Sequence, residues 1–449
     1  SITAQMMFCP CALCVFMSNK GEAVGDASVI DHYHTTRKQS VALVEGLSAE
    51  DLCAQSMPDA SPSKWHLAHT SWFFETFILQ KYERNFRWHN NDFPYLFNSY
   101  YDAVGQRHAR PQRGLLTRPS LTEIFAYREN IDARMQALLP GLLEENYDNI
   151  EALLTIGLHH EMQHQELLLT DLLHLFSCNP IKPAVMQTAC AGTTKRMGER
   201  GSLAFQSFDG AMVNVGAAPE TAGTWSGFSY DCEQPTHPHY LTPFALATRL
   251  VSNADWLAFM ADGGYDNSLL WLSDGWQEKQ KQGWVAPAYW ERRDDQWWQF
   301  GLDGMQPIDG NAPVHHVSFY EADAFARWSG KRLPREHELE CAQKDRAISG
   351  NFLESHVWRP LAGGAQGEAF DDLYGDVWEW TQSPFTAYPG FDPKQGALGE
   401  YNGKFMINQC VLKGGSCVTP RLQMRSSYRN FFYPHQRWQF TGLRLAQDC

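Results

Sequence analysis

In the stretch GLHHEMQHQELLLTDLLHL, two histidines one helical turn apart, His160 and His164, interrupt a largely apolar pattern. Leu153, Gly157, His160, His164, Leu167, Asp171 and Leu175 recur at steps of three and four beside Leu154, Leu168 and Leu172, so both imidazoles belong to an inward stripe. At that spacing two ring nitrogens can share one metal ion, whereas two unliganded buried imidazoles need separate hydrogen-bond partners. His159 and His174 fall off the stripe's centre and read as packing residues. HEMQH also fits the HExxH pattern of zinc peptidases. The chain continues QELLLTDLL, without the glycine and third histidine of one peptidase group. Glu166 and Glu199 are badly placed as a later carboxylate ligand, so peptidase chemistry is set aside.

A third ligand is expected from another helix. In SPSKWHLAHTSWFFETFIL the serines read as helix caps, and Trp65, His69, Trp72, Thr76 and Leu79 form a stripe flanked by Phe73. His69 lies on that stripe; His66, roughly 60° around the helix, competes with it. Three neutral imidazoles with open positions suit Fe(II), Zn(II) or Cu(II). Gln163 is a neutral polar group beside the metal face, able to orient an imidazole by hydrogen bonding. Tyr100 and Tyr101 are adjacent phenols of the kind that supply a proton. Arg107, Arg110, Arg113 and Arg118 crowd a stretch with no acid between Asp102 and Glu123, an arrangement suited to clamping a carboxylate.

Positioning these groups requires helices first. Periodicity predicts helical segments over Val29–Leu47, Ser63–Tyr82, Leu121–Leu139 and Asn149–Phe176, which suggest a four-helix bundle. Residues 179–201 lack periodicity and read as a linker. Beyond them the chain is rich in Trp, Gly and Pro, with short strand-like pieces such as Met212–Val215 and Val411–Leu412 between turn signals. The combination is α+β.

A length of 449 residues calls for two or three domains. A formal charge of −14 leaves no excess basic surface for a phosphate backbone, so nucleic acid is an unsuitable partner. No apolar run reaches the roughly 18 residues a membrane span needs. SITAQMMFCPCALCVFM has no positive charge before Lys20, unlike a secretory signal, and Met17 reads as a more natural start. Residues 1–26 are therefore expected to be leader or disordered sequence, with no metal partner for Cys9, Cys11 and Cys14. The remaining cysteines are scattered, which favours a reducing, cytoplasmic compartment. Nothing in the pattern sets an oligomeric state.

Taken together, PDASPSKWHLAHTSWFFETF, the HEMQHQE helix, AFARWSGKRLP, YGDVWEWT, EYNGKFM, LKGGSC and YRNFF resemble the ergothioneine-biosynthetic sulfoxide synthases of the EgtB type, non-haem iron enzymes. The resemblance extends from about Asp31 to the C-terminus. It implies a DinB-like four-helix bundle over 27–178, the linker, and a domain over 202–449 similar to formylglycine-generating enzymes, with a C-type-lectin-like fold. It also implies Fe(II) held by His69, His160 and His164. The implied substrates are O2, a thiol and hercynine (Nα-trimethylhistidine), joined by a carbon–sulfur bond at the imidazole carbon between the nitrogens, with sulfur oxidised to the sulfoxide.

Gln163 and Asn430 match residues that hold hercynine, and Arg110 and Arg113 match arginines that bind the thiol's carboxylates. Tyr100 and Tyr101 match active-site tyrosines, and which of them acts stays open. For the trimethylammonium, Trp378, Trp380, Phe431 and Phe432 offer aromatic faces, with Trp380 read as core. Family members that use γ-glutamylcysteine carry an aspartate after Asn-Trp; this chain has Phe432 after Asn430-Phe431, so cysteine is the inferred thiol. Two alternatives stand beside this reading: a related enzyme joining a selenosugar to hercynine, and a zinc-dependent DinB-type thiol transferase.

Overall fold

The computed structural model describes residues 28–145, 150–186, 203–218, 225–363, 370–393 and 402–449. The expected leader with Cys9, Cys11, Cys14 and Met17, the helix start at Asn149, Glu199 and most of the linker lie outside them.

Four long helices build the N-terminal part among the described residues. α1 (Val29–Ala42) starts at Ser28, whose hydroxyl accepts from Asp31 N while the Asp31 carboxylate accepts from Ser28 N. That reciprocal cap satisfies two otherwise orphaned amides. α1 ends at Ala42, short of the expected Leu47, in a turn where Gly46 takes φ +82. α2 (Ser63–Phe74) runs on through a π turn, Glu75–Leu79, into Gln80–Tyr82. The expected serine caps are absent: Pro62 holds the cap position, and the Ser61 hydroxyl instead accepts from Arg113 Nη1 at 2.9 Å. α3 (Leu121–Glu144) opens with a Ser120–Glu123 capping box and continues past Pro140 for one more turn beyond the expected Leu139. Pro140 gives up a single backbone bond, the one its missing N–H would make to the Gln136 carbonyl, and the helix resumes after it. α4 (Ile150–Ser177) carries the histidine stripe.

α4 packs against α1 and α2, and α2 also packs against α3. Every residue of α2 is buried. The close approach of α2 and α4 depends on Gly157, where a Cβ would lie 2.5 Å from Phe74 Cε1 and 3.0 Å from Phe73 Cε1. Gly157→Ala gains up to about 1 kcal/mol of helix propensity, yet overpacking costs about 1–3 kcal/mol. A net loss of stability in a denaturant titration is the expected result, because both rings are themselves fully buried.

The C-terminal part is built on a sheet of β1 (Trp378–Pro384), β2 (Cys410–Lys413), β3 (Asn430–Phe432) and β4 (Thr441–Gly442) in the order β3-β2-β1-β4. β2 runs antiparallel to both β1 and β3, and β4 runs parallel to β1. The expected pieces at 212–215 and 411–412 appear as Ala211–Val215, paired with His237–Leu241, and as β2. Connecting segments are anchored by buried ion pairs, Arg429 with Glu336 and Arg444 with Glu379.

The two parts meet along α4. Glu166 accepts from Trp378 Nε1 at 2.6 Å, Thr419 Oγ1 at 2.8 Å and Ser416 Oγ at 3.3 Å. His159 stacks on Phe228 at 4.0 Å. Among the described residues, no helix is long and apolar enough to cross a membrane.

Candidate metal centre and substrate cavity

His69 comes from α2, and His160 and His164 from α4. One nitrogen from each lies within 4.8 Å of the others. His69 Nδ1 sits 2.6 Å from the Phe97 carbonyl. A carbonyl only accepts, so Nδ1 carries the proton and Nε2 keeps its lone pair. That Nε2 is 3.1 Å from His160 Nε2, the edge expected for two nitrogens about 2.0–2.1 Å from one cation. Burial holds all three imidazoles well below the ordinary histidine range, His160 at about 3. Three neutral nitrogens facing a common point, two on buried rings and the third, on His164, partly open to the cavity, fit a divalent transition metal. Trp65 and Trp72 stack against His69, with centroids at 4.5 and 5.4 Å, and fix its ring plane.

His66, the competitor on α2, faces elsewhere: its nitrogens meet His164 Nδ1 and Asp171 Oδ2, each at 2.8 Å. Glu161, the glutamate of HEMQH, turns away from the centre. It is fully buried and accepts from Arg37, Arg128 and Ser40 at 3.0, 2.8 and 2.6 Å. It therefore offers no base to a metal-bound water, and the peptidase reading loses its key residue.

The histidines open into a cavity of about 390 Å³ walled by both parts of the chain. Every expected site residue lines it: Tyr100, Tyr101, Arg110, Arg113, Gln163, Trp378, Asn430 and Phe431. Arg110 donates to the Tyr100 hydroxyl at 2.8 Å and to the Asp59 carbonyl. Tyr101 is buried against Trp72 and Phe77. Arg113 lies 3.4 Å over the Trp65 ring and donates to Ser61. Burial, then Arg110, pushes its guanidinium down to about 9. Gln163 Nε2 donates to Tyr428 at 2.8 Å. Asn430 Oδ1 accepts from Phe431 N, and Phe431 stacks on Phe385 at 4.1 Å. Phe432 also lines the cavity. Trp380 does not; it is core, donating to the Val317 carbonyl. Arg107 and Arg118 lie outside the lining, bonded to the Ser99 and Thr117 carbonyls.

Tyr428 and Glu166 line the cavity without having been singled out as substrate contacts. Glu166 follows Gln163 by three residues, so its shared helix face is a signal present in the sequence. Tyr428 stands two residues before Asn430, just after a turn, and no pattern marks its depth.

Residues 32–168 match the DinB superfamily, and residues 207–359 and 365–449 match the sulfatase-modifying factor enzyme 1-like domain. A hercynine oxygenase of Mycolicibacterium smegmatis is 31% identical over 94% of this chain and 99% of its own. One of Mycobacterium tuberculosis is 31% identical over 93% and 98%. Ergothioneine biosynthesis protein 1 of Schizosaccharomyces pombe is 25% identical over 49% of this chain and 28% of its own. A DinB part followed by a sulfatase-modifying-factor-like part thus spans this chain, the likeness to the two hercynine oxygenases runs over nearly the whole of both chains, and the chain belongs to the hercynine oxygenase family.

Proposed function

We propose that the protein is an O2-dependent sulfoxide synthase of ergothioneine biosynthesis, joining cysteine to the imidazole carbon of hercynine with Fe(II) held by His69, His160 and His164. The balance closes without a further reductant: hercynine loses C–H, the thiol loses S–H, one oxygen atom of O2 enters the sulfoxide and the other leaves as water. The observation that carries this reading is a trio of neutral imidazole nitrogens opening into the same cavity as Arg113, a buried guanidinium with no carboxylate bonded to it among the described residues. Bound iron supplies the activation of O2.

The chain's own residues bind and orient. Arg113 and Arg110 receive the thiol's carboxylate, which restores the charge partner that burial denies Arg113. Gln163, held by Tyr428, and Asn430 orient the hercynine imidazole, while Trp378 and Phe431 face its trimethylammonium. Tyr100 and Tyr101 hold a phenol proton at the cavity wall for delivery to a reacting oxygen. β3 presents Phe432 rather than an acid beside Asn430, which favours cysteine over a thiol with a remote amine. We read 27–178 and 202–449 as the two domains, joined by the 179–201 linker. The free cysteines among the described residues suit a reducing cytoplasm.

Anaerobic loading with Fe(II), followed by hercynine, cysteine and O2, tests the reading through O2 uptake and product mass. A product of hercynine plus cysteine plus one oxygen less two hydrogens, absent with Zn(II), is expected. Turnover only with γ-glutamylcysteine or a selenosugar overturns the donor. Silence with all three, together with metal-dependent thiol transfer under Zn(II), overturns the chemistry. Arg113→Met removes a charge-assisted contact worth about 1.5–3 kcal/mol. KM for the thiol should rise by roughly 10- to 100-fold, with KM for hercynine unchanged.

A further inference from the structure

We propose that His66 and Asp171 form a relay that positions His164, fixing which of its nitrogens faces the metal and strengthening that nitrogen as a donor. The inference rests on the metal reading above. The chain of contacts runs from Asp171 Oδ2 to His66 Nε2 at 2.8 Å, and from His66 Nδ1 to His164 Nδ1 at 2.8 Å. Asp171 Oδ2 also accepts from Ser61 N at 2.8 Å, which holds the carboxylate in place as an acceptor. All three side chains are largely out of water.

Each proton position follows from the one before. A carboxylate accepts, so His66 Nε2 carries hydrogen. In neutral His66, Nδ1 is then a lone pair, and the hydrogen between the two imidazoles belongs to His164 Nδ1. His164 is left with its lone pair on Nε2. A doubly protonated His66 would reverse the second bond and put a hydrogen on His164 Nε2, which no metal ligand can carry.

The three ligands are consequently unlike. His69 is steadied by a neutral carbonyl, that of Phe97, whereas His164 is backed by an imidazole that is itself backed by a carboxylate. A hydrogen bond to an anionic acceptor raises the basicity of the ring it polarises, and such outer partners set metal affinity. Placement supports the same reading. Asp171 follows His164 by two turns on α4, and His66 precedes His69 by one turn on α2. The relay thus ties together the two helices that supply every ligand.

The test uses the metal-free full chain, titrated anaerobically with Fe(II) and separately with Zn(II), in wild type, Asp171→Asn, His66→Phe and the double variant. His66→Phe fills the space and breaks the relay; its Fe(II) affinity is expected to fall by roughly 10- to 100-fold. Asp171→Asn keeps an acceptor but removes the charge, so a smaller loss in the same direction is expected. Adding it to His66→Phe should produce no further loss, because the carboxylate acts only through His66. The Fe(III)/Fe(II) potential should rise in both single variants, a change that packing damage alone does not predict. Wild-type affinity and potential in His66→Phe, or additive losses in the double variant, overturn the relay. If Asn at 171 unsettles Ser61, His66→Phe alone decides. A wild-type chain that takes up neither ion overturns the metal reading itself, and the relay with it.

Discussion

Replacing Glu161 by alanine is expected to cost the protein about 3–5 kcal/mol, the usual penalty for stranding buried charges by removing their partner. The carboxylate is fully buried and receives Arg37 from α1, Arg128 from α3 and Ser40 from α1, while it projects from α4. Arg37 reaches on to Asp132 of α3 and Ser71 of α2, each at 2.7 Å. One network therefore ties all four helices, and its removal leaves two buried guanidiniums facing each other. Set against a typical total stability of about 5–15 kcal/mol, the loss is large enough to unfold the bundle at modest denaturant. Chemical denaturation followed by far-UV circular dichroism measures it, and a loss under about 1 kcal/mol would show that the network is not what joins the helices.

The same residue gives a pH signature. Burial alone raises the Glu161 carboxyl, but Arg37 and Arg128 overcome it and hold it at about 2, below its ordinary 4.5. A depressed carboxyl contributes its stability in full above the ordinary value and loses it as pH falls through the folded one. The gap between wild type and Glu161→Ala should narrow as pH drops from 4.5 toward 2. A zinc peptidase would behave in the opposite way, losing turnover and keeping its fold when this glutamate is changed.

How far the sequence reached depends on how evenly an element is buried. α4 is buried without a break over residues 154–162 and only partly at Leu153, Leu167 and Leu175, and its apolar period still puts His160 and His164 on one stripe. α2 offers no such contrast, since all of it is buried. Periodicity there separates His69 from His66 by only about 60° of helix, and the choice is made by what each meets: His160 for His69, Asp171 for His66. Hidden tertiary bonds also undid the serine caps, because Arg113 claims the Ser61 hydroxyl.

In the C-terminal part, strands of two to seven residues carry too little alternation to set a sheet, and resemblance rather than pattern supplied that fold. The same limit hid Tyr428, which follows a turn and lines the cavity with its hydroxyl bonded to Gln163 and Gln423. Glu166 became interior only because Trp378, Ser416 and Thr419 from the other part close over it. Local sequence cannot register a partner more than two hundred residues away, and the side chains at that seam are the ones the sequence describes least well.

The adjacent histidines of α4 allow the metal role to be separated from mere burial. His160→Asn is expected to reduce bound Fe(II) from one equivalent to a small residue and to lower turnover by about 10³-fold or more, the rate equivalent of losing several kcal/mol of metal assistance. His159→Phe should keep both. The two positions share one helix, and each is nearly inaccessible to water, so a purely structural role predicts similar damage from either change. Their surroundings differ. His160 turns Nε2 toward His69 Nε2 at 3.1 Å, whereas His159 stacks at 14° on Phe228, a contact phenylalanine reproduces. Burial keeps the His159 ring neutral, so no charge is lost with it. Metal stoichiometry read on folded protein decides between the two accounts. Full Fe(II) occupancy in His160→Asn would remove that residue from the ligand set, and equal unfolding of both variants would return the pair to the core.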